Sequence, residues 1–178
     1  MKFKKGIILA AGKGTRLAPA TKVTVKPLLP LYDKPLLYYA LSNLINAGVR
    51  EVLFICQKQD IPQFKKLFGN GKQLGMKFSY TYQKKQIGIP DAINIAEKFI
   101  AKKPFILALA DNLFIGKNFK SVLSQVQLTK SEAAILAVKT KYPSKSAVIE
   151  FDKKKNIKSI NIKHDDGKIV SLLFGISM

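Results

Sequence analysis

Apolar positions follow two rhythms along this chain. Gly6-Ile7-Ile8-Leu9-Ala10-Ala11, residues 51–56 and residues 105–110 are short, almost unbroken apolar runs, as expected of strands covered on both faces. Between them the apolar residues return at helical spacing. Residues 36–47 place Leu36, Tyr39, Ala40, Leu44 and Ala47 on one stripe that Gly48 stops. Asp60 stands where it caps a helix with Pro62 in its first turn, and Phe64, Leu67 and Phe68 form the buried side before Gly69-Asn70-Gly71 ends it. Residues 90–99 turn Ala92, Ile95, Ala96 and Phe99 inward. Residues 76–82 alternate as a strand, 119–126 carry a helical pattern, and 133–138 predict a further strand.

The character changes in the last forty residues or so. Residues 147–151, 157–162 and 169–173 are alternating runs separated by Lys-rich or Asp-Gly turns, which predict strands added late to the sheet. Repeated strand-to-helix connections imply an α/β chain with a mostly parallel sheet and right-handed crossovers. Ligands of such sheets lie beyond the carboxyl ends of the strands. Three candidate segments fall there: the loop 12–16, the turn 83–88, and Asp111-Asn112. With 178 residues and no linker or internal repeat, a single domain is expected over 1–178.

Charge raises one alternative and then weakens it. A net charge of +20 invites nucleic acid, but of the 31 basic residues only Arg16 and Arg50 are arginines, and the lysines are scattered. Base-edge readout favours the guanidinium fork, so sequence-specific nucleic-acid recognition is not expected. No apolar run reaches the roughly 20 residues of a membrane span. The basic start followed by Ile7 to Ala11 only imitates a leader, and a first strand in a cytoplasmic protein is the expectation. Cys56 has no disulfide partner and ends an apolar strand. His164, the lone histidine, stands with Asp165, Asp166 and Gly167 in a turn-like stretch.

The segment with the most chemical content is Gly12-Lys13-Gly14-Thr15-Arg16-Leu17-Ala18-Pro19-Ala20-Thr21-Lys22. A strand that breaks into small, glycine-punctuated backbone exposes several N–H groups, and such a set of donors suits a phosphate chain. Arg16 and Lys26 add fixed positive charge. A Walker loop is excluded by the interval, and the dinucleotide fingerprint by Leu17, which stands where its third glycine would be. Asp111 follows a wholly apolar run, where a carboxylate requires a partner or a metal; Asp-Asn after a strand also serves as a turn or a cap.

Leu-Ala-Ala-Gly-x-Gly-Thr-Arg-Leu-x-Pro-x-Thr followed by Lys26-Pro27-Leu28-Leu29-Pro30 resembles the signature of the sugar-1-phosphate nucleotidyltransferases. Tyr32-Asp33-Lys34-Pro35-Leu36-Leu37-Tyr38-Tyr39 is most similar to the glucose-1-phosphate thymidylyltransferase branch, and the likeness runs over about residues 5–125. The resemblance implies a Rossmann-like mixed sheet flanked by helices, of the nucleotide-diphospho-sugar transferase type. It implies attack of a sugar-1-phosphate oxygen on the α-phosphorus of a nucleoside triphosphate, dTTP or UTP, with release of pyrophosphate. Arg16 and Lys26 would then be catalytic, Arg16 at the β and γ phosphates and Lys26 at the sugar phosphate. Leu9, Ala11, Gly12, Gly14, Thr15, Gln83 and Gly88 would bind the nucleotide, with Gln83 offering donor and acceptor to the base. Asp111 would hold Mg²⁺, and Asn112 and Lys163 would contact substrate. The family also implies assembly of copies into an oligomer.

The likeness fades beyond that core, so 126–178 are expected to form a reduced sugar-binding half. Ser146-Ala147 replaces the Tyr-Gly of the family, and Asn161-Ile162-Lys163-His164 stands in place of Glu-Glu-Lys-Pro. Ala110 replaces a glycine before the metal aspartate. No Trp occurs, and the family's second metal aspartate beside a Trp-x-Asp-x-Gly stretch is not met before Met178. Three readings follow: an active transferase, a nucleotide-binding module without turnover, and a basic protein using the fold on a polyanion.

Overall fold

The computed structural model describes residues 3–114, 121, 125, 133–136, 147–153, 157–161, 169–170 and 173–176. In chain order the strands are β1 (Lys5–Leu9), the ribbon β2 (Pro30–Leu31) and β3 (Lys34–Pro35), β4 (Glu51–Cys56), β5 (Lys77–Tyr82), β6 (Phe105–Leu109), β7 (Ala133–Ile135), β8 (Ala147–Phe151), β9 (Ile157–Asn161), β10 (Ile169–Val170) and β11 (Leu173–Ile176). The helices are α1 (Leu37–Asn46), α2 (Ile61–Phe68), α3 (Ile89–Ile95) and α4 (Glu97–Ile100).

Six strands form the main sheet in the order β5-β4-β1-β6-β11-β7. The first four run parallel, Ile7 lying between Leu53 and Leu107. β11 runs antiparallel to both β6 and β7, so the sheet is mixed, as expected. Period-two alternation divides the core between the two faces. Ile8, Val52, Phe54, Ile106 and Ala108 meet Leu37, Leu41 and Leu44 of α1 and Phe64 and Phe68 of α2. Ile7, Leu53, Ile55, Phe105 and Leu107 meet Ala92 of α3, Ala96 between the helices and Ile100 of α4. On the first face Phe54 stacks on Phe68 at 5.4 Å and meets Phe78 edge-on at 5.3 Å. Each such ring contributes about 1.5–3 kcal/mol by its burial. Gly6 lets α1 close onto β1, since a Cβ there would lie 2.8 Å from Leu44 Cδ1.

Several expectations are corrected. The buried stripe of α1 is Leu37, Ala40, Leu41 and Leu44, not one through Leu36 and Tyr39, which are half-buried; the Tyr39 hydroxyl donates to Leu31 O at 3.0 Å. The 90–99 segment is two helices broken at Ala96, with Ala92, Ala96 and Ile100 fully inside and Ile95 and Phe99 half-buried. Asp60 precedes α2 but its side chain does not cap it, and its buried Oδ2 has no hydrogen-bond partner among the described residues. The late strands do not simply extend the sheet. β8, β9 and β10 make a separate antiparallel sheet in the order β10-β8-β9, while residues 173–176 supply β11 of the main one. Pairing between distant strands is set by tertiary fit, which local alternation does not encode. The helix expected at 119–126 lies outside the described residues except for Ser121 and Gln125, both helical. The 162–168 stretch, with Ile162, Lys163 and His164, also lies outside them. Among the described residues no helix is long and apolar enough to cross a membrane.

Candidate active site

The carboxyl ends of β5, β4, β1 and β6 make one rim. Each ladder reaches one residue past its strand: Ala10 N–H donates to Ile55 O at 2.7 Å, Gln83 N–H to Cys56 O at 3.1 Å, and Ala110 N–H to Leu9 O at 3.0 Å. These bonds fix the backbone where each loop departs. At roughly 4.8 Å per strand, the rim from β5 to β6 spans about 14 Å.

After Ala10 the chain leaves the sheet as short 3₁₀ turns, Thr15–Leu17, Ala20–Lys22 and Lys26–Leu28. Gly14 is the corner of this path. Its φ of +63° is left-handed, and a Cβ would lie 2.9 Å from Thr21 Cγ2 and 3.0 Å from Lys26 Cβ. Thr21 Oγ1 donates to Gly14 O at 3.0 Å and ties the loop back on itself. Gly12, by contrast, has open space where a Cβ would stand.

Between this loop and the end of β6 lies a cleft of about 400 Å³, lined by Leu9, Gly12, Gly14, Thr15, Arg16, Lys26 and Asp111 among others. Across it Lys26 Nζ donates to Asp111 Oδ2 at 2.7 Å, with the two side chains 33% and 40% exposed. The loop, the two cations and the strand-end aspartate expected from the sequence therefore share one cavity. Asn112 follows half-buried, its N–H donating to Leu109 O at 3.2 Å. Among the described residues Asp111 is the one carboxylate lining the cleft. Among the described residues no group of three or more His, Cys, Asp or Glu side chains comes together. A single hard oxygen donor fits a Mg²⁺ that takes its other ligands from water and phosphate oxygens.

Gln83 and Gly88 lie on the other half of the rim, beside a second cleft lined by Lys13, Gln57, Lys58, Tyr82, Gln83 and Gln86 among others. Gln83 is buried, and its Nε2 donates to Gly88 O at 3.1 Å and to Asp91 Oδ2 at 2.7 Å. The expected donor and acceptor side by side is thus corrected: both amide hydrogens turn inward. Gln86 joins the two halves, its Nε2 donating to Ala11 O beneath the glycine loop. Asp91 and Gln86 were not singled out in the sequence, and Thr21 stood there only as the end of the signature, without a role. Asp91 reads there as an ordinary acidic residue in the first turn of a helix.

An open parallel sheet with a basic, glycine-cornered loop and an acidic residue facing each other beyond its strand ends defines the α/β class that takes its ligands at that edge. Within it, the chain belongs to the nucleotidyl transferase family, whose model matches residues 5–168. It is 41% identical over 159 residues to a glucose-1-phosphate thymidylyltransferase of Neisseria meningitidis, covering 89% of this chain and 54% of that protein. It is 42% identical over 168 residues to the enzyme of that name from Mycolicibacterium smegmatis, covering 94% and 54%. The chain thus spans about half the length of these curated relatives. Among solved structures, a Bacillus anthracis protein assigned as a glucose-1-phosphate thymidylyltransferase, in complex with sucrose, superposes with a TM-score of 0.89 at 29% identity, over 97% of this chain and 71% of that one. A UDP-glucose pyrophosphorylase complexed with UDP-glucose gives 0.78 at 26% identity, over 98% and 76%. These neighbours share the expected nucleotide-diphospho-sugar transferase fold.

Proposed function

We propose that this chain carries the nucleotide-handling centre of a sugar-1-phosphate nucleotidyltransferase, with dTTP or UTP as the triphosphate and a hexose 1-phosphate as acceptor. The observation that supports this most directly is the 2.7 Å pair of Lys26 and Asp111 across the cleft that the 12–16 loop lines. The rim is long enough to lay a base beside Gln83 and a phosphate chain against the glycine loop.

In the proposed reaction an oxygen of the sugar phosphate attacks the α-phosphorus, the α–β phosphoanhydride bond breaks, and pyrophosphate leaves with the bonding electron pair. No covalent protein intermediate is needed, so the work falls to alignment and charge stabilisation. Backbone N–H groups of 12–16 cradle the phosphates, Arg16 steadies the leaving β and γ groups, and Lys26 draws the acceptor phosphate toward the α-phosphorus. Asp111 would hold Mg²⁺, and Asn112 and Lys163 would meet substrate. Bound Mg²⁺ supplies neutralisation of the phosphate oxygens. A cytoplasmic location belongs to the same proposal, since a buried free thiol such as Cys56 persists in a reducing compartment.

The test is pyrophosphate release, followed by a coupled assay, across a panel of triphosphates and hexose 1-phosphates with Mg²⁺. Release that requires both a pyrimidine triphosphate and a sugar phosphate is the expected result. Triphosphate binding without release would leave a binding module, and no triphosphate binding at all would overturn the reading.

A further inference from the structure

Gln83 holds an unusual position for a residue at a cleft. It is only 6% exposed, and both of its Nε2 contacts are to groups that accept and never donate, a backbone carbonyl and a carboxylate. An amide turned the other way would set its oxygen against Gly88 O and Asp91 Oδ2, so the chemistry of the partners alone dictates the orientation. Among the described residues Oε1 accepts no hydrogen bond, while the residue lines the second cleft. What Gln83 has left to offer a ligand is therefore an acceptor.

We propose that Asp91 is a positioning residue that locks the Gln83 amide with Oε1 toward the ligand, so that the cleft selects a pyrimidine ring bearing an N–H at N3 and rejects one with a bare N3. This deepens the reading given above and rests on it. The charge-assisted bond to Asp91, at 2.7 Å, is the shorter of the two, and burial strengthens it relative to a bond in water. Asp91 is held in turn by the first turn of α3, whose Ala92 is fully buried against the sheet. Uracil and thymine present N3–H and gain the bond. Cytosine presents a lone pair at N3 and meets Oε1 with repulsion, leaving a desolvated acceptor unpaired.

The test compares dUTP with dCTP, which differ only along this edge of the ring, by calorimetry in the presence of Mg²⁺. Wild type should bind dUTP at least about tenfold more tightly, the worth of one good hydrogen bond set against an unpaired acceptor. Asp91→Asn and Asp91→Ala should bring the dUTP:dCTP ratio to within about threefold of unity, the loss of one orienting bond, and Asp91→Glu should restore part of it. In a Gln83→Ala background, Asp91→Asn should leave the ratio unchanged. That background also separates positioning from a structural role, because a helix merely loosened by loss of Asp91 would weaken both nucleotides alike and keep the ratio. A retained ratio in folded Asp91→Asn, or equal affinities in wild type that still binds both, would overturn the assignment of Asp91 and leave the nucleotide reading standing. Wild type that binds neither would overturn both.

Discussion

The two halves of the rim solve different problems with different means. On the β1–β6 half, Lys26 and Asp111 face each other as exposed charges joined by one contact, beside a loop whose Gly12 opens to solvent. On the β4–β5 half, Gln83 is buried, uncharged and held at two points. An exposed ion pair is worth little to stability and exchanges readily for a charged ligand. A buried amide with both hydrogens engaged is rigid and suited to discriminating between rings of similar size. On the reading proposed above, charge handling would fall to the first half and selection to the second.

The sharpest way to break the comparison is to remove charge on the first half. Asp111→Asn or Lys26→Ala should lower turnover by about a hundredfold or more, as lost preorganised charge does. The melting temperature should move by no more than about 3 °C, because the pair contributes roughly 0–1 kcal/mol. A large drop in melting temperature would show that the pair is architectural. Gly14→Ala attacks the same half through the backbone. The left-handed φ and the contact with Lys26 Cβ should cost about 1–2 kcal/mol and raise the triphosphate KM about tenfold. An unaltered KM would show that the corner does not shape the phosphate site.

The link between the halves is weaker. Gln86→Ala frees the 83–88 turn from Ala11 O, and the loss of one hydrogen bond should raise the nucleotide KM about fivefold with kcat unchanged. A matching fall in kcat would place Gln86 in the chemical step. The smallest effect is expected at Asp60, among the described residues the one side chain with a buried polar atom that lacks a hydrogen-bond partner. Burial raises its carboxyl above the usual aspartate range. Its protonated form is therefore favoured in the folded chain, and stability should fall as pH rises from the ordinary aspartate value through the raised one, then level off. Asp60→Asn should remove that slope and gain about 1 kcal/mol near neutral pH, with no difference in strong acid. Chemical denaturation from pH 3 to 8 reads this directly, and parallel curves would mean that Asp60 stays solvated.

Much of this contrast was legible in the sequence because its causes are local. The runs at 6–11, 51–56 and 105–110 are almost unbroken apolar stretches, so β1, β4 and β6 could be placed, and the loops after them with them. Arg16, Lys26 and Asp111 follow from that placement and do share a cavity. Features set by side-chain choice between alternatives were not legible. Tyr39 fits the helical stripe by spacing, yet its hydroxyl finds Leu31 O and the stripe shifts to Leu37 and Leu41. Asp60 has the composition of a cap without the geometry. Asp91 sits eight residues from the amide it orients, an interval with no periodic signature, and only the fold of the turn brings them together. The late alternating runs announced strands but not their partners, because β8 pairs β9 and β10 while β11 crosses to β6.

The placement of β11 also bears on synthesis. Phe105–Leu109, the strand that carries Asp111 at its end, has β1 on one side, and its other edge is covered by Leu173–Ile176, more than sixty residues later. While the ribosome is still adding that stretch, the nascent chain presents an uncapped row of N–H and C=O groups beside a strongly apolar strand, a template for aggregation. Expression yield should accordingly be sensitive to chaperone supply and to any truncation before Leu173.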